Sequence, residues 1–231
     1  MNLAERYQEI QARITQAARA VARDPKTVRL LVASKHQSIA SIQALLACGQ
    51  HDFGENTVQE ALPKIEALSD QAIHWHYIGR IQSNKTRDLA AHFSWVHSVE
   101  SLKIAQRLSS QRQSAQTPLN LCLQVNLSGE ASKAGVGADA LPALAAAVAA
   151  LPHLKLRGLM TMAPAAYNAQ ACEDLFKRVA ALQAEVVASG IAMDHLSMGM
   201  SADYEPAIHA GATWVRLGSA LFNSASVGRI S

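Results

Sequence analysis

The chain has 231 residues, 49% of them hydrophobic, and a formal net charge of +3 at pH 7. That length buries one sizeable core, so we expect residues 1–231 to form one domain. The basic residues exceed the acidic ones by only three, 21 against 18, and form no runs, which argues against nucleic-acid or membrane partners. Cys48, Cys122 and Cys172 lie far apart with no CxxC pair, a pattern typical of buried free thiols in a reducing cytoplasm. We therefore expect a cytoplasmic protein.

Hydrophobic periodicity predicts an N-terminal helix followed by alternating strands and helices. The first helix runs from about Leu3 to Val21. Eight strands are predicted at Arg29–Ser34, His51–Gly54, Ile73–Ile78, Trp95–Val99, Leu119–Leu127, Lys155–Met162, Asp194–Met198 and Thr213–Leu217. The helices between them are predicted at Ile39–Cys48, Val58–Leu68, Asn84–His92, Ser101–Gln113, Ala138–Ala150, Ala169–Ser189 and Tyr204–Ala210.

Repeated β–α units force parallel strands with right-handed crossovers, and about eight such units close most simply as a barrel. We therefore expect a single TIM-type (β/α)8 barrel with an extra N-terminal helix. A doubly wound open sheet is the alternative fold. The loop after the first strand, SKHQSI, lacks the G-x-G-x-x-G phosphate fingerprint of such sheets, and the chain contains no P-loop.

The most informative candidate for chemistry is Lys35, which follows the apolar run RLLVAS. In a barrel the carboxyl ends of the strands meet at one mouth, where ligands bind. We expect an ammonium at this position to be partly desolvated, which lowers its pKa and favours the neutral amine that condenses with aldehydes. The alternative is an ordinary solvated lysine just beyond a strand.

Two glycine-containing segments near the end of the chain predict a phosphate site. SMGMSAD places Gly199 and Ser201 where a strand meets a helix, so backbone N–H groups and the helix N-terminus could hold a phosphate. RLGSALF repeats the pattern after the last strand with Gly218 and Ser219. Phosphate sites in these barrels commonly follow strands seven and eight. Taken alone, either segment is a weak signal, because a glycine after a strand is usually just a turn.

An ordered set of motifs over essentially the full chain carries a family resemblance. The motifs are VASK, HDFGEN, HWHYIGRIQSNK, QVNLSGEASKAGV, LRGLMTM, LSMGMSADYEPAI and WVRLGSALF. Together they resemble the pyridoxal-phosphate homeostasis protein family of the YggS/PROSC type, whose fold is similar to the barrel domain of alanine racemase. The resemblance implies a protein that holds pyridoxal 5′-phosphate (PLP) and takes part in vitamin B6 homeostasis, with consequences for amino-acid metabolism.

The resemblance assigns a role to several residues of this chain. Lys35 takes the position of the Schiff-base lysine, and Ser201, Gly218 and Ser219 would hold the phosphate. Arg216 would face the pyridine nitrogen. The remaining implied residues are Asn56 beside the ring, Met198, Gly199 and His76 as pocket lining, and Lys133 as a second attachment point or an ordinary loop lysine.

The resemblance also implies a carrier and not an enzyme. A guanidinium only donates hydrogen bonds, so the pyridine nitrogen beside Arg216 would stay unprotonated and the ring would be a poorer electron sink. Racemisation needs a second acid or base, which alanine racemase supplies as a tyrosine from a domain that the resemblance does not cover. Weak racemase-like activity is the alternative. A monomer is expected, with apo PLP-dependent enzymes as acceptors of the cofactor.

Two rival functions use other features of the sequence. His74 and His76 share one face of a predicted strand, an HxH spacing that metal sites use, so a metal-dependent barrel hydrolase is one rival. An acidic partner for this pair is not expected. Further histidines at other strand ends are not expected either, since His51, His92 and His97 are interpreted as preceding or beginning their strands. The other rival is a non-catalytic protein that reports vitamin status to a macromolecular partner.

Overall fold

The computed structural model describes residues 1–127 and 134–223. Within them, eight parallel strands close into a barrel in sequence order, and β8 pairs with β1. The strands are β1 (Arg29–Ala33), β2 (Asp52–Glu55), β3 (His74–Tyr77), β4 (Trp95–Val99), β5 (Leu119–Gln124), β6 (Leu154–Met160), β7 (His195–Ser197) and β8 (Trp214–Leu217). The predicted (β/α)8 barrel is confirmed, and the open doubly wound sheet is wrong.

Helices surround the barrel. They are α1 (Leu3–Ala20), α2 (Ile39–Leu46), α3 (Val58–Ala67), α4 (Thr86–His92), α5 (Leu102–Gln111), α6 (Leu141–Ala149), α7 (Ala169–Ala188), α8 (Tyr204–His209) and α9 (Ser219–Phe222). The four-residue helix α9 was not predicted, because so short a segment shows no periodicity. In the part of the chain that the structure describes, no helix is long and apolar enough to cross a membrane.

The N-terminal helix α1 begins with a capping box, in which the side chains of Asn2 and Glu5 bond each other's backbone N–H groups. Its buried face, which includes Ile10 and Ile14, packs against α2, α8 and α9. Arg6 Nε also donates to the carbonyl of Leu221 at 2.7 Å. The helix therefore joins the first and last β–α units of the barrel.

Side chains alternate between the outside and the inside of the barrel wall, as the two-residue period of strands requires. Outward-facing residues such as Val32, Phe53 and Val215 pack against the helices in one large hydrophobic cluster. A second cluster fills the interior: Leu31, Trp95, Cys122, Met160 and Trp214, with Ile78 against it. Burial raises the pKa of the interior Cys122 thiol to about 12, so it stays protonated.

The amino-terminal end of the barrel is closed by aromatic rings. Trp95 and Trp214, at the starts of β4 and β8, lie 5.8 Å apart between ring centroids. Arg157 covers the Trp95 ring at 5.0 Å and Arg29 covers the Trp214 ring at 5.1 Å, which are cation–π distances. This filled floor directs any ligand to the opposite end, the mouth.

Acidification is expected to destabilise this floor through His195, which begins β7 and lies 5.2 Å from Trp95 between ring centroids. Burial, with nearby Arg157 and Arg29, lowers the pKa of His195 to about 4. The same histidine in the unfolded chain takes up a proton near pH 6.5, so stability is full above that pH and is lost as pH falls towards 4. Urea unfolding between pH 6.5 and 4.5 should show a slope lower by about 1 kcal/mol per pH unit in His195→Gln. The exposed His92→Gln control should keep the wild-type slope, and equal slopes in all three proteins would contradict the assignment.

Candidate functional site

Lys35 lies at the rim of the mouth, just beyond β1. The strand ends at Ala33, Ser34 is buried, and the chain then turns at Lys35 and His36, where His36 has φ +60°. Ala33 follows the inward-facing Leu31 at the two-residue period, and Lys35 continues the same parity. The Lys35 residue is exposed, so the expected desolvation of its ammonium is wrong. The reason is that the strand ends two residues before the lysine.

The turn that carries Lys35 is anchored from the outer side of the barrel by a buried ion pair. Lys64 Nζ donates to Glu55 at 2.8 Å, to Glu60 at 2.9 Å and to the carbonyl of Ser34 at 2.9 Å. The Ser34 hydroxyl donates to the same Glu55 oxygen at 2.6 Å. Burial raises the pKa of Glu55, although Lys64 and Ser34 oppose the shift. Lys35 is therefore held in place through the residue before it.

Sequence reasoning missed this ion pair, although α3 contains a signal for it. The buried residues of that helix are Val58, Ala61 and Lys64, which recur every three positions along one face. A lysine on an otherwise apolar helix face indicates a buried partner, because an unpaired buried ammonium is costly.

The two glycine turns predicted to hold phosphate lie side by side. The backbone N–H of Arg216 donates to the backbone carbonyl of Gly199 at 2.9 Å. The Ser201 hydroxyl oxygen accepts the Ala220 N–H at 3.2 Å, which links the turn after β7 to the turn after β8. Gly199 has φ +93°, a conformation that favours glycine. The two segments thus form one surface, with the exposed Ser219 at its edge.

The same surface adjoins the strand that leads to Lys35. A Cβ atom on Gly218 would lie 3.2 Å from the carbonyl oxygen of Ala33, so the turn after β8 packs against the end of β1. This contact follows from barrel closure, since β8 and β1 are paired along Arg29 to Val32. The structure therefore brings Gly199, Ser201 and Gly218 together. Their shared surface adjoins Ala33, which precedes Lys35 by two residues.

The predicted contribution of a helix N-terminus is weaker than expected. The helices that follow the two turns, α8 and α9, have only six and four residues, and short helices have small dipoles. The carboxylate of Asp203 also accepts the Met200 N–H at 2.5 Å, and burial raises the pKa of Asp203. Any anion held here would depend on the hydroxyl and N–H groups of the two turns and on nearby cations.

Arg216 supplies a buried cation below the two turns. The residue is 5% exposed, and its two terminal nitrogens donate to Ser197 Oγ at 2.8 Å and to the Thr161 carbonyl at 2.9 Å. Burial lowers the pKa of Arg216 to about 10, which still leaves it charged at neutral pH. Arg216 is paired in register with Leu31, one layer below Ala33. Asn56 directly follows β2, continues the inward parity of Asp52 and Gly54, and is half-buried.

Two residues predicted near the site lie elsewhere. Met198 belongs to the hydrophobic cluster between strands and helices, because it has the opposite parity to Ser197 and Gly199, so its side chain does not line the mouth. His76 is fully buried in the barrel interior below the mouth and is not part of the pocket lining. Lys133 lies outside the described residues.

The interpretation of the histidines also needs correction. His74 and His76 both contact Asp52 Oδ1 at 3.1 Å, so the acidic partner that was not expected is present. His97 is the third residue of β4 and does not precede or begin it; it is fully buried and bonded to His76. Among residues 1–127 and 134–223, no three or more His, Cys, Asp or Glu side chains are grouped to hold a metal ion.

Comparisons with known proteins agree with this fold. Residues 3–226 match the family model described as the N-terminal domain of alanine racemase. A pyridoxal phosphate homeostasis protein of Pseudomonas aeruginosa is 52% identical over 226 residues, which are 98% of this chain and 97% of that protein.

Solved structures give the same result. PipY of Synechococcus elongatus, solved with PLP bound, is 36% identical with a TM-score of 0.85 and covers 96% of this chain and all of its own. An alanine racemase of Corynebacterium glutamicum is 16% identical with a TM-score of 0.66, over 96% of this chain and 63% of that one, which shows a common fold.

The barrel and the polar mouth define a protein of the alanine racemase N-terminal-domain class. Within that class, the chain belongs to the pyridoxal phosphate homeostasis protein family.

Gly199→Ala should destabilise the turn after β7. The new Cβ would lie 2.6 Å from Ala207 Cβ in a backbone conformation that alanine rarely adopts. We expect a loss of about 1–3 kcal/mol in urea unfolding. The control is Gly137→Ala, whose Cβ would meet nothing within 4 Å and should leave the midpoint unchanged. Equal midpoints for the two variants would show that the turn is not constrained.

Lys64→Met should destabilise the protein more strongly than Gly199→Ala does. It leaves Glu55 buried without its cation and removes a donor from the Ser34 carbonyl. Breaking a buried pair in this way costs about 3 kcal/mol or more, which urea unfolding measures. Lys177→Met, which removes the exposed cation paired with the half-buried Glu173, is the matched control and should unfold near the wild-type midpoint. A wild-type midpoint for Lys64→Met would contradict the anchoring role.

Proposed function

We propose that residues 1–231 form one domain that binds PLP at the barrel mouth and carries it as a Schiff base on Lys35. The protein then acts in intracellular vitamin B6 homeostasis and does not turn over a substrate. PLP would be held by Lys35, by the turns containing Gly199, Ser201, Gly218 and Ser219, and by Arg216 below them, with Asn56 on the opposite side.

One observation carries the proposal: the two turns share a hydrogen bond, and one of them packs on the strand that leads to Lys35. A phosphorylated aldehyde needs an anion site and an amine on the same side of one cavity. The donors present fit that requirement, since hydroxyl and backbone N–H groups bind phosphate and the Arg216 cation lies beside them. The relative solved with PLP bound supports the same ligand.

The attachment requires only the Lys35 side chain. Lys35 would hold PLP through a C=N bond between its side-chain nitrogen and the aldehyde carbon, with the aldehyde oxygen and two hydrogens of the nitrogen lost as water. Because Lys35 is exposed, water can reach that bond and reverse the reaction. An exposed attachment point suits a carrier that must release its cargo better than an enzyme that must exclude water.

Arg216 favours a carrier for an electronic reason. A guanidinium has no acceptor atom, and its pKa of about 10 keeps it protonated at neutral pH, so the pyridine nitrogen beside it would gain no proton. The bound ring would then be a poor electron sink for amino-acid chemistry.

The tyrosines give little support to racemase activity. Tyr7, Tyr77 and Tyr204 are buried in the packing between elements, whereas the exposed Tyr167 lies in the loop between β6 and α7. The relatives' description as homeostasis proteins supports the carrier function. We propose a monomer that passes PLP to apo-enzymes.

Lys35→Ala tests the proposal directly. Wild-type protein mixed with PLP should develop the yellow absorbance of a Schiff base, and borohydride should fix the cofactor covalently. Lys35→Ala should lose at least about 90% of the fixed cofactor, because the amine that forms the bond is gone. Lys26→Ala removes another exposed lysine, on the turn before β1, and should bind like wild type.

Three results would contradict different parts of the proposal. Wild-type levels of fixed cofactor in Lys35→Ala would overturn the assignment of Lys35, and the absence of any yellow species in wild type would overturn PLP binding itself. Turnover of amino acids by the PLP-loaded protein at enzyme-like rates would overturn the carrier function.

A further inference from the structure

A continuous line of hydrogen bonds crosses the barrel interior. Arg216 donates to Ser197 Oγ at 2.8 Å, and Ser197 Oγ lies 2.7 Å from His97 Nδ1. His97 Nε2 lies 2.9 Å from His76 Nδ1, and His76 Nε2 lies 3.1 Å from Asp52 Oδ1. We call these five residues the interior chain. It runs from the cation below the mouth to the first residue of β2 on the barrel floor.

The chemistry of its two ends gives the interior chain a direction. Arginine can only donate and an ionised carboxylate can only accept, whereas a neutral imidazole has one donor and one acceptor nitrogen. With both rings neutral, His76 must donate from Nε2 to Asp52 and accept at Nδ1. His97 must then donate from Nε2 and accept the Ser197 hydroxyl at Nδ1. Every bond therefore points from the mouth towards the floor.

The surroundings keep both rings neutral and Asp52 charged. His76 stacks on Trp95 at 5.5 Å and meets the edge of Trp214 at 5.0 Å between centroids. Burial lowers the pKa of His76 and, further, that of His97, whose neighbours include the Arg216 cation. Burial alone would raise the pKa of Asp52, but the bond from His76 and the neighbouring His74 and Arg29 hold it below its ordinary value.

We propose that Asp52, His76 and His97 are positioning residues that orient Arg216 towards the mouth through Ser197. This inference rests on the proposed PLP site. The Ser197 hydrogen is committed to His97, so the oxygen presents its lone pairs to the guanidinium. Ser197 and the Thr161 carbonyl each take an N–H from a different terminal nitrogen of Arg216, which fixes the plane of the group. Asp52 anchors the interior chain, although it lies at the opposite end of the barrel from the ligand.

The first test needs no cofactor. Long-range ¹H–¹⁵N spectra of the histidine rings distinguish the two neutral tautomers and the cation. At pH 7 both His76 and His97 should carry their proton on Nε2, and Ser197→Ala should alter the His97 signals. Ser110→Ala, on the surface of α5, should not alter them. A proton on Nδ1 of either ring, or a cationic ring, would overturn the direction of the interior chain.

The second test measures whether Asp52 acts through Ser197. Dissociation constants for PLP are compared in wild type, Asp52→Asn, Ser197→Ala and the double variant. Asp52→Asn should weaken PLP binding by about three- to tenfold when Ser197 is present, and should have no further effect when combined with Ser197→Ala, because coupled residues are not additive. Additive effects would show that Asp52 has only a local structural role.

The outcomes separate this inference from the proposed function. Additive effects in a protein that still fixes PLP on Lys35 would overturn the positioning role alone. A wild-type protein that fixes no PLP would overturn the proposed function, and with it the use of Arg216, while the histidine spectra would still test the direction of the interior chain.

Discussion

The pairing of β8 with β1 is the constraint on which the site depends. This contact closes the barrel, with Leu31 opposite Arg216 and Val32 opposite Leu217. Because the strands are parallel, closure also brings their carboxyl ends together, so Gly218 packs on Ala33. Lys35 and the two glycine turns come from opposite ends of the sequence and would have no other reason to be neighbours.

The two faces of the barrel wall support the site in different ways. On the outer face, the pair of Lys64 and Glu55 anchors the turn before Lys35 at a buried position. On the inner face, the interior chain ties Arg216 to the floor. Lys35 itself is exposed, whereas Ser34 before it and Arg216 opposite β1 are buried.

The fold could be predicted from sequence because strand and helix periodicity is local. Strand and helix positions agree with the structure to within a few residues, apart from the short α9 and the end of β5, where Val125 makes only an isolated bridge to Val136. The placement of Gly199 and Gly218 in adjacent turns followed from the barrel rule that strands seven and eight meet there.

The rest of the site depends on contacts that sequence alone does not show. The exposure of Lys35 depends on β1 ending at Ala33. Met198 follows β7 with the parity opposite to the inward-facing Ser197 and therefore packs towards the helices. The bond between His76 and His97 joins residues on adjacent strands whose register no local pattern determines. Asp203 lies in a predicted motif, yet its contact with the Met200 N–H depends on how the turn after β7 folds.

A crystal structure of the protein soaked with PLP would test the central claim most directly. Our account predicts continuous density from the nitrogen of Lys35 to a ring above Arg216, with the phosphate against the turns of Ser201 and Gly218. Density for PLP attached to another lysine, or with its phosphate away from both glycine turns, would contradict it.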